Sequence, residues 1–233
     1  APLVAHSDVD LVSFTGGTAT GKKVAASAAP AFKKLSLELG GKNATIVFAD
    51  CDMDATVPGV VRAGFLNQGQ VCLCGSRVLV EDSIYEEFRD RFVDAVEAMR
   101  VGDPSDEATD LGALISGQHL EKVQGYVELA KEEGGNLLTG GTPCLPAEFE
   151  HGNWMVPTVI EGLSPDSRCS TEEIFGPVVT LHSFSHEDEA VTIANNTRYG
   201  LAGSVWTGDL ERGKRVSEAI ETGMVWVNTW LHR

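Results

Sequence analysis

Apolar and polar residues along this chain follow two spacings, one typical of strands and the other typical of helices. Short apolar runs end at polar turns, whereas Phe88, Phe92 and Val96 recur at the spacing of one helix face. Strands and helices alternate in this way along the whole chain, which favours an α/β fold with a largely parallel sheet. The predicted helices span 20–29, 53–67, 83–99 (capped by Ser83), 117–133, 187–195 and 210–221, and the predicted strands span 9–14, 35–39, 44–48, 77–81, 136–139, 178–184, 202–207 and 224–228.

The net charge narrows the range of partners. The 233 residues include 18 Lys and Arg against 34 Asp and Glu, which leaves a formal charge of −16. A field of this sign repels nucleic-acid phosphates and anionic lipid headgroups, so we expect no nucleic-acid and no membrane partner. In addition, no apolar run approaches the roughly 20 residues of a transmembrane helix.

The five cysteines predict a reducing compartment and no metal site. Their number is odd and the chain shows no secretory signal sequence, so we expect a cytoplasmic location rather than a disulfide framework. Zinc sites use CxxC pairs or clustered histidines, but the only close pair here is Cys72 and Cys74, with one residue between them. This pattern favours a working thiol over a metal ligand.

A glycine-rich turn, GGTATGK at 16–22, follows the first predicted strand and opens the first predicted helix. Backbone N–H groups and the helix dipole can hold a phosphate at such a turn. A Walker A loop would need Ser or Thr after Lys22, where Lys23 stands, and a Rossmann fingerprint would need glycine in place of Thr18. The turn alone leaves both a phosphate contact and a plain strand-to-helix connection open.

Two later segments carry residues suited to covalent catalysis. In LELGGK, Glu38 stands between leucines just before a glycine pair, which places its carboxylate in a core or in a cleft. Burial disfavours the charged form of a carboxylate and so makes it a better proton acceptor, as a general base must be. The alternative is that Glu38 forms a structural salt bridge. In FLNQGQVC, Cys72 follows a helix end and a glycine, where backbone amides can stabilise a thiolate. The alternative for Cys72 is a buried, inert cysteine.

Four segments together resemble the aldehyde dehydrogenase superfamily. FTGGTATG, LELGGK, FLNQGQVCLCGSR and EEIFGPV occur in the order and approximate spacing of that superfamily, and the resemblance runs from end to end of the chain. Four motifs in register are highly specific. The stretches GKNATIVFADCD, DLGALIS, TRYGLAGSVWT and WVNTWLHR look most like those of 2-hydroxymuconic and 2-aminomuconic semialdehyde dehydrogenases.

The resemblance implies roles for the residues of these motifs. Cys72, directly after GQV, matches the nucleophile, and Cys74 becomes a bystander. Glu38 matches the general base that activates water. Glu173 matches the glutamate that hydrogen-bonds the nicotinamide ribose, and Phe175 matches the aromatic residue beside it.

Further cofactor and substrate residues follow from the same resemblance. Gly16 and Gly17 match the pyrophosphate turn, although the family usually has serine at the position of Gly17, and Leu39 is expected to contact the cofactor. Phe65 and Arg233 are expected to contact the substrate. The Arg233 guanidinium suits the distal carboxylate of a semialdehyde, and its alternative is a solvated arginine at a chain end.

The implied fold is a three-layer, parallel-sheet catalytic domain over 41–233, with a remnant of a Rossmann-like cofactor domain over 1–40. Relatives are longer, and the resemblance places a ribose-binding lysine, an oxyanion-hole asparagine and an oligomerisation strand outside this chain. We therefore expect low activity from this chain alone and a homo-oligomer for the full-length enzyme. The implied reaction oxidises an aldehyde to the acid with NAD, with NADP not excluded, through a cysteine thioester.

Two other functions stay open at this stage. A coenzyme A-acylating relative would pass the acyl group from Cys72 to another acceptor, but Glu38 favours water. A non-catalytic binding or structural protein on a degenerate dehydrogenase fold is disfavoured by the presence of both Cys72 and Glu38, but the segments that relatives have and this chain lacks favour it.

Overall fold

The computed structural model describes residues 2–232, which form two compact units with their boundary in the chain between Gly40 and Gly41. None of the helices in this described part is long and apolar enough to cross a bilayer. Across the same residues, no group of three or more His, Cys, Asp and Glu side chains is arranged to hold a metal ion.

The first unit is a single βαβ motif. A short helix α1 (Pro2–Ala5) precedes strand β1 (Leu11–Thr15), which pairs in parallel with β2 (Lys34–Glu38). Helix α2 (Thr18–Ala28) connects the two strands, as parallel pairing requires a crossover rather than a tight hairpin.

The second unit is built on a seven-stranded sheet. Its strands, in chain order, are β3 (Ala44–Val47), β4 (Arg77–Glu81), β5 (Asn136–Thr139), the short pair β6 (Pro143–Cys144) and β7 (Trp154–Met155), β8 (Thr158–Glu161), β9 (Val178–Phe184), β10 (Ala202–Trp206) and β11 (Met224–Val227). The order across the sheet is β11-β10-β3-β4-β9-β8-β5. Only the edge strand β5 runs antiparallel to its neighbour, whereas β6 and β7 form a separate antiparallel ribbon.

Helices cover both faces of this sheet. They are α3 (Met53–Phe65), α4 (Tyr85–Glu97), α5 (Gly117–Glu132), α6 (Arg168–Thr171), α7 (Glu187–Asn195) and α8 (Leu210–Ala219). One core packs α3 and α4 against Val78 and Val80 of β4, and the opposite core packs α7 and α8 against Leu79 of the same strand. Because successive strand residues point to opposite faces, a continuous apolar strand is buried on both sides. The predicted three-layer α/β fold with a largely parallel sheet is confirmed.

Several local predictions differ from the structure. The strand β8, the ribbon β6–β7 and the short helices α1 and α6 were not predicted, because runs of two to four residues carry too little periodicity. Ser83 does not cap α4: it lies inside a 3₁₀ turn over 82–84, and the helix begins at Tyr85. The α3 helix also ends at Phe65 rather than Asn67, where the backbone turns left-handed.

Candidate active site

Cys72 lies at the second position of a tight turn between α3 and β4. The Cys74 N–H donates to the Val71 carbonyl at 3.0 Å, which closes the turn, and Cys72 itself is half-buried. The neighbouring Cys74 is buried, and this burial raises the pKa of its thiol to about 12. Cys74 therefore stays protonated at neutral pH, and of the two residues Cys72 has the exposure that a nucleophile needs.

The segment that leads into this turn has an unusual backbone. Asn67, Gln68 and Gly69 have positive φ angles of 53°, 58° and 68°. A Cβ at Gly69 would lie 2.1 Å from the carbonyl oxygen of Gly176, so only glycine permits this close approach. The Cys72 turn is thus packed against the loop that enters β9. Uncommon backbone conformations of this kind cluster at functional sites.

The side chain of Asn43 joins the Cys72 turn to the start of β10. Its Nδ2 donates to the Cys72 carbonyl at 2.8 Å and to the Cys74 carbonyl at 2.9 Å, and its Oδ1 accepts from the Ala202 N–H at 3.0 Å. Asn43 is buried, so this amide has exchanged water for three protein partners. The sequence analysis missed Asn43, because a single polar residue before the apolar run ATIVF carries no sign of its distant partners.

The Glu173 carboxylate is held by the backbone that enters β3. Its Oε1 accepts from the Gly41 N–H at 2.9 Å. A Cβ on Gly41 would lie 2.8 Å from the Cys72 carbonyl oxygen, so the Gly41 backbone also touches the Cys72 turn. The structure therefore brings together two of the residues singled out from sequence, Cys72 and Glu173, with Gly41 between them.

Helix α5 supports the loop that carries Phe175. Phe175 has a φ of 62°, which is uncommon for an aromatic residue. Nε2 of His119 donates to the Phe175 carbonyl at 2.6 Å, and Lys122 Nζ donates to the carbonyls of Glu173 and Ile174 at 3.3 and 3.0 Å. These bonds to the backbone hold the Phe175 loop in a conformation that its own residues do not favour. Neither His119 nor Lys122 stood out in the sequence.

All of these segments lie at the amino ends of the parallel strands. Gly41 and Asn43 enter β3, the Cys72 turn precedes β4, and the Glu173 loop precedes β9. Because β3, β4 and β9 are neighbours in parallel register, their entrance loops lie side by side. Ligands of open α/β sheets usually bind at the carboxyl ends of the strands, and this candidate site occupies the other edge.

Sequence comparison gives the family of this chain. The aldehyde dehydrogenase family matches residues 1–233. The chain belongs to this family. A 2-aminomuconic semialdehyde dehydrogenase from Mus musculus is 48% identical, over 99% of this chain and 48% of the relative. A 2-hydroxymuconic semialdehyde dehydrogenase from Pseudomonas putida is 46% identical, also over 99% of this chain and 48% of the relative.

Solved structures place the same family on this fold. A point mutant of betaine aldehyde dehydrogenase from Staphylococcus aureus, in complex with NAD+, matches with a TM-score of 0.97 and 39% identity. The match covers 100% of this chain and 47% of that one. The chain thus spans about half the length of the curated relatives and solved structures that it matches.

This aldehyde dehydrogenase chain buries three side chains that can carry positive charge, Arg77, Lys42 and His182. Arg77 donates to the carbonyls of Lys42, Ile193 and Ala194 at 2.9, 2.8 and 2.7 Å, and remains charged although burial lowers its pKa to about 10. Lys42 is 1% exposed, and its Nζ has no hydrogen-bond partner among residues 2–232. Burial and the Arg77 cation lower the Lys42 pKa to about 7, and burial lowers the pKa of His182 to about 4.

The last described segment of the chain approaches the Cys72 turn. Trp230 Nε1 donates to the Leu73 carbonyl at 3.0 Å, one residue from Cys72, and Trp226 Nε1 donates to the His232 carbonyl at 3.1 Å. The predicted substrate residue Arg233 lies outside the described residues.

Phe65 is a core residue, and its burial leaves the ring no exposed surface for the predicted substrate contact. The ring is fully buried between the sheet and α4, with its centroid 6.2 Å from that of Phe92. The next residue, Leu66, is half-buried and packs with Trp226 and Trp230 instead. Successive side chains along a helix differ in direction by about 100°, so an error of one residue in the prediction selects a side chain that points elsewhere.

In the first unit, the predicted pyrophosphate residues lie at the start of α2. The Gly16 N–H donates to the Glu38 carbonyl at 3.0 Å, and Gly17 is the N-cap residue, with no side-chain cap. No atom lies within 4 Å of where a Gly17 Cβ would be. The buried Thr18 hydroxyl has no hydrogen-bond partner in the described part of the chain. An open helix start with an unpaired hydroxyl fits a bound phosphate.

Glu38 ends β2 opposite Thr15, and its side chain is exposed. This exposure differs from the predicted place in a core or in a cleft, because β2 belongs to a two-stranded sheet with little cover. Leu39 is half-buried and packs on Gly21 of α2, where a Cβ would lie 2.6 Å from its Cδ2. The role of Glu38 as a base towards Cys72 stays a prediction.

Proposed function

We propose that the protein containing this chain oxidises an aldehyde to a carboxylic acid with NAD, through a thioester on Cys72. The observation that carries the proposal is the meeting of the Cys72 turn, Gly41 and Glu173 at one edge of the sheet. Family membership implies an aldehyde substrate. The NAD+ complexes of betaine aldehyde dehydrogenase support NAD as the electron acceptor.

In the first step, the Cys72 thiolate attacks the aldehyde carbon. A C–S bond forms while the carbonyl electron pair moves to oxygen, and the backbone N–H of Cys72 would donate a hydrogen bond to that oxyanion. NAD, when bound, supplies the hydride acceptor for this carbon, which becomes a thioester.

Two separate groups of residues in this chain would each hold one part of NAD. The open N-terminus of α2 at Gly16 and Gly17 would hold the pyrophosphate. The Glu173 carboxylate would accept hydrogen bonds from ribose hydroxyls, and Phe175 and Leu39 would pack against the nicotinamide half. Glu173 would have to exchange its bond with the Gly41 N–H for those hydroxyls or share it between them.

In the second step, Glu38 takes a proton from water as the water oxygen attacks the thioester carbon. The C–S bond breaks, the carboxylic acid leaves, and the thiolate of Cys72 is restored. This route divides one difficult reaction into two easier ones.

The proposed substrate is a semialdehyde that carries a carboxylate at its far end. The named activities of the mouse and Pseudomonas putida relatives support this class, and Arg233 is the residue proposed to recognise the carboxylate. A homo-oligomer and a cytoplasmic location are proposed for the full-length enzyme on the family resemblance.

Acylation by an activated ester tests the nucleophile without cofactor. We expect p-nitrophenyl acetate to place one acetyl group on Cys72, detectable by intact mass and peptide mapping, with a burst of p-nitrophenolate. Cys72→Ala should abolish the burst, whereas the matched variant Cys74→Ala should keep it. The opposite pattern would assign the chemistry to Cys74.

Deacylation tests the base and separates the alternative functions. Glu38→Gln should acetylate at the normal rate but lose the acetyl group more slowly, by about 10² or more, whereas Glu97→Gln on the exposed face of α4 should match the parent chain. Acyl release that depends on added coenzyme A rather than water would support the acylating alternative. An absence of acylation in the parent chain would support a non-catalytic protein.

A further inference from the structure

We propose that Asn43 is a positioning residue that sets the reactivity of the Cys72 thiol, an inference that rests on the proposed function of Cys72. Asn43 crosses the Cys72 turn and binds the carbonyls of its second and fourth residues, Cys72 and Cys74. This amide therefore holds the turn from the sheet side.

The chemistry of the amide suits this task. Nδ2 has two N–H groups, and each meets one carbonyl, at 2.8 and 2.9 Å, while Oδ1 accepts from the Ala202 N–H. A carboxylate of the same shape could accept from Ala202 but could donate to neither carbonyl. A serine hydroxyl could donate to one carbonyl at most.

The backbone of Asn43 is itself fixed by its neighbours, so its side chain can hold the turn in one position. Its backbone carbonyl accepts from the Arg77 N–H at 3.3 Å, and the next residue begins the buried strand β3. The Arg77 guanidinium also holds the preceding carbonyl, that of Lys42, at 2.9 Å. A buried network of several hydrogen bonds is rigid, and the turn attached to it is restrained in the same way.

Fixing the Cys72 carbonyl has a direct effect on the thiol. The carbonyl plane sets the backbone torsion at Cys72, and so the direction of Sγ relative to the backbone N–H groups of the turn. Backbone N–H groups can stabilise a thiolate, whereas the carboxyl end of the preceding helix α3 carries partial negative charge and disfavours one. Without the Asn43 amide, the turn loses this alignment although its residues are unchanged.

Peptide-resolved alkylation by iodoacetamide between pH 6 and pH 10 tests the proposal on this chain. The variants are Asn43→Ala, Asn43→Asp and, in case either fails to fold, Asn43→Ser. The matched control is Asn195→Ala. Asn195 makes the same kind of bonds at the end of α7, donating to the Ala219 carbonyl at 3.0 Å and accepting from the Glu221 N–H at 2.8 Å.

We expect Asn43→Ala to slow the alkylation of Cys72 at pH 7 by about tenfold, and Asn43→Ser by less. Asn43→Asp should slow it further, because a carboxylate beside the thiol disfavours the thiolate. The half-buried Cys144 and the buried Cys169 should react as in the parent chain.

Two results would overturn the role of Asn43. One is an unchanged Cys72 rate in the Asn43 variants. The other is a joint rise in the alkylation of Cys72 and Cys169, which would mean that the amide only stabilises the fold. The proposed function is judged separately, by whether Cys72 in the parent chain reacts well below the usual thiol pKa of about 8.5.

Discussion

Replacing Lys42 by methionine should stabilise this protein, and more so at pH 7 than at pH 9. Lys42 is 1% exposed, its Nζ has no hydrogen-bond partner among residues 2–232, and the Arg77 cation lies nearby. Methionine keeps the length of the side chain and removes the amine. The backbone carbonyl that accepts from Arg77 remains, so the substitution removes the buried charge and little else.

The magnitude follows from the Lys42 pKa, which burial lowers from 10.5 to about 7. Between those values the unfolded chain binds more protons than the folded chain, so the free energy of unfolding rises with pH across this window. One pKa unit is worth about 1.4 kcal/mol, so the lysine costs the folded state about 4 kcal/mol at pH 7 and about 2 kcal/mol at pH 9. Lys42→Met should recover these amounts.

Urea unfolding at pH 7 and pH 9, followed by tryptophan fluorescence, measures both values. Lys131→Met is the control, because that lysine is exposed on α5 in a surface pair with Glu128 and should change stability by less than about 1 kcal/mol at either pH. A Lys42→Met variant that is less stable than the parent chain would refute the reasoning. So would a gain that is the same at both pH values, since the gain must follow the titration of the amine.

Three further predictions concern other residues. Burial, together with the Arg77 and Lys42 cations, lowers the pKa of His182 to about 4, so the parent chain should lose about 2 kcal/mol of stability between pH 7 and pH 5 that His182→Gln does not lose in urea unfolding. Gly69→Ala should cost more than about 2 kcal/mol, because of the φ of 68° and the 2.1 Å approach to Gly176, whereas Gly125→Ala, with open space around it on α5, should not lower the Tm. In the active full-length enzyme, Arg233→Ala should raise the KM for a carboxylate-bearing semialdehyde by about tenfold or more and leave that for a neutral aldehyde unchanged. Equal effects on both substrates would remove Arg233 from the site.

Much of the second unit could be predicted because its elements are locally consistent. The bounds of β4, β9 and α7 match the prediction residue for residue, since each is a strongly patterned run that ends at a turn or a cap. The strand β8 was missed because it follows a long irregular stretch. Its place in the sheet depends on pairing with β9, which no local pattern records.

Part of the candidate site could be predicted from the sequence, and part of it could not. Motif order singled out Cys72 and Glu173, because a nucleophile and its surroundings leave a local signature of glycines and amides. Asn43 left none, since its three partners lie 29, 31 and 159 residues away in the chain. Nothing in the local sequence distinguishes a buried, hydrogen-bonded asparagine side chain from one that is exposed to solvent.

The sequence by itself determined the alternation of strands and helices and the family, and it singled out Cys72 as the candidate thiol, because each of these depends on short runs of neighbouring residues. The tertiary structure decided which side chains hold that thiol in place and which are merely core. Phe65 turned inward and Leu66 did not, and Lys42 was buried without a partner. Those outcomes depend on parallel strands bringing distant loops to one edge of a sheet, and burial and distance exist only once the chain has folded.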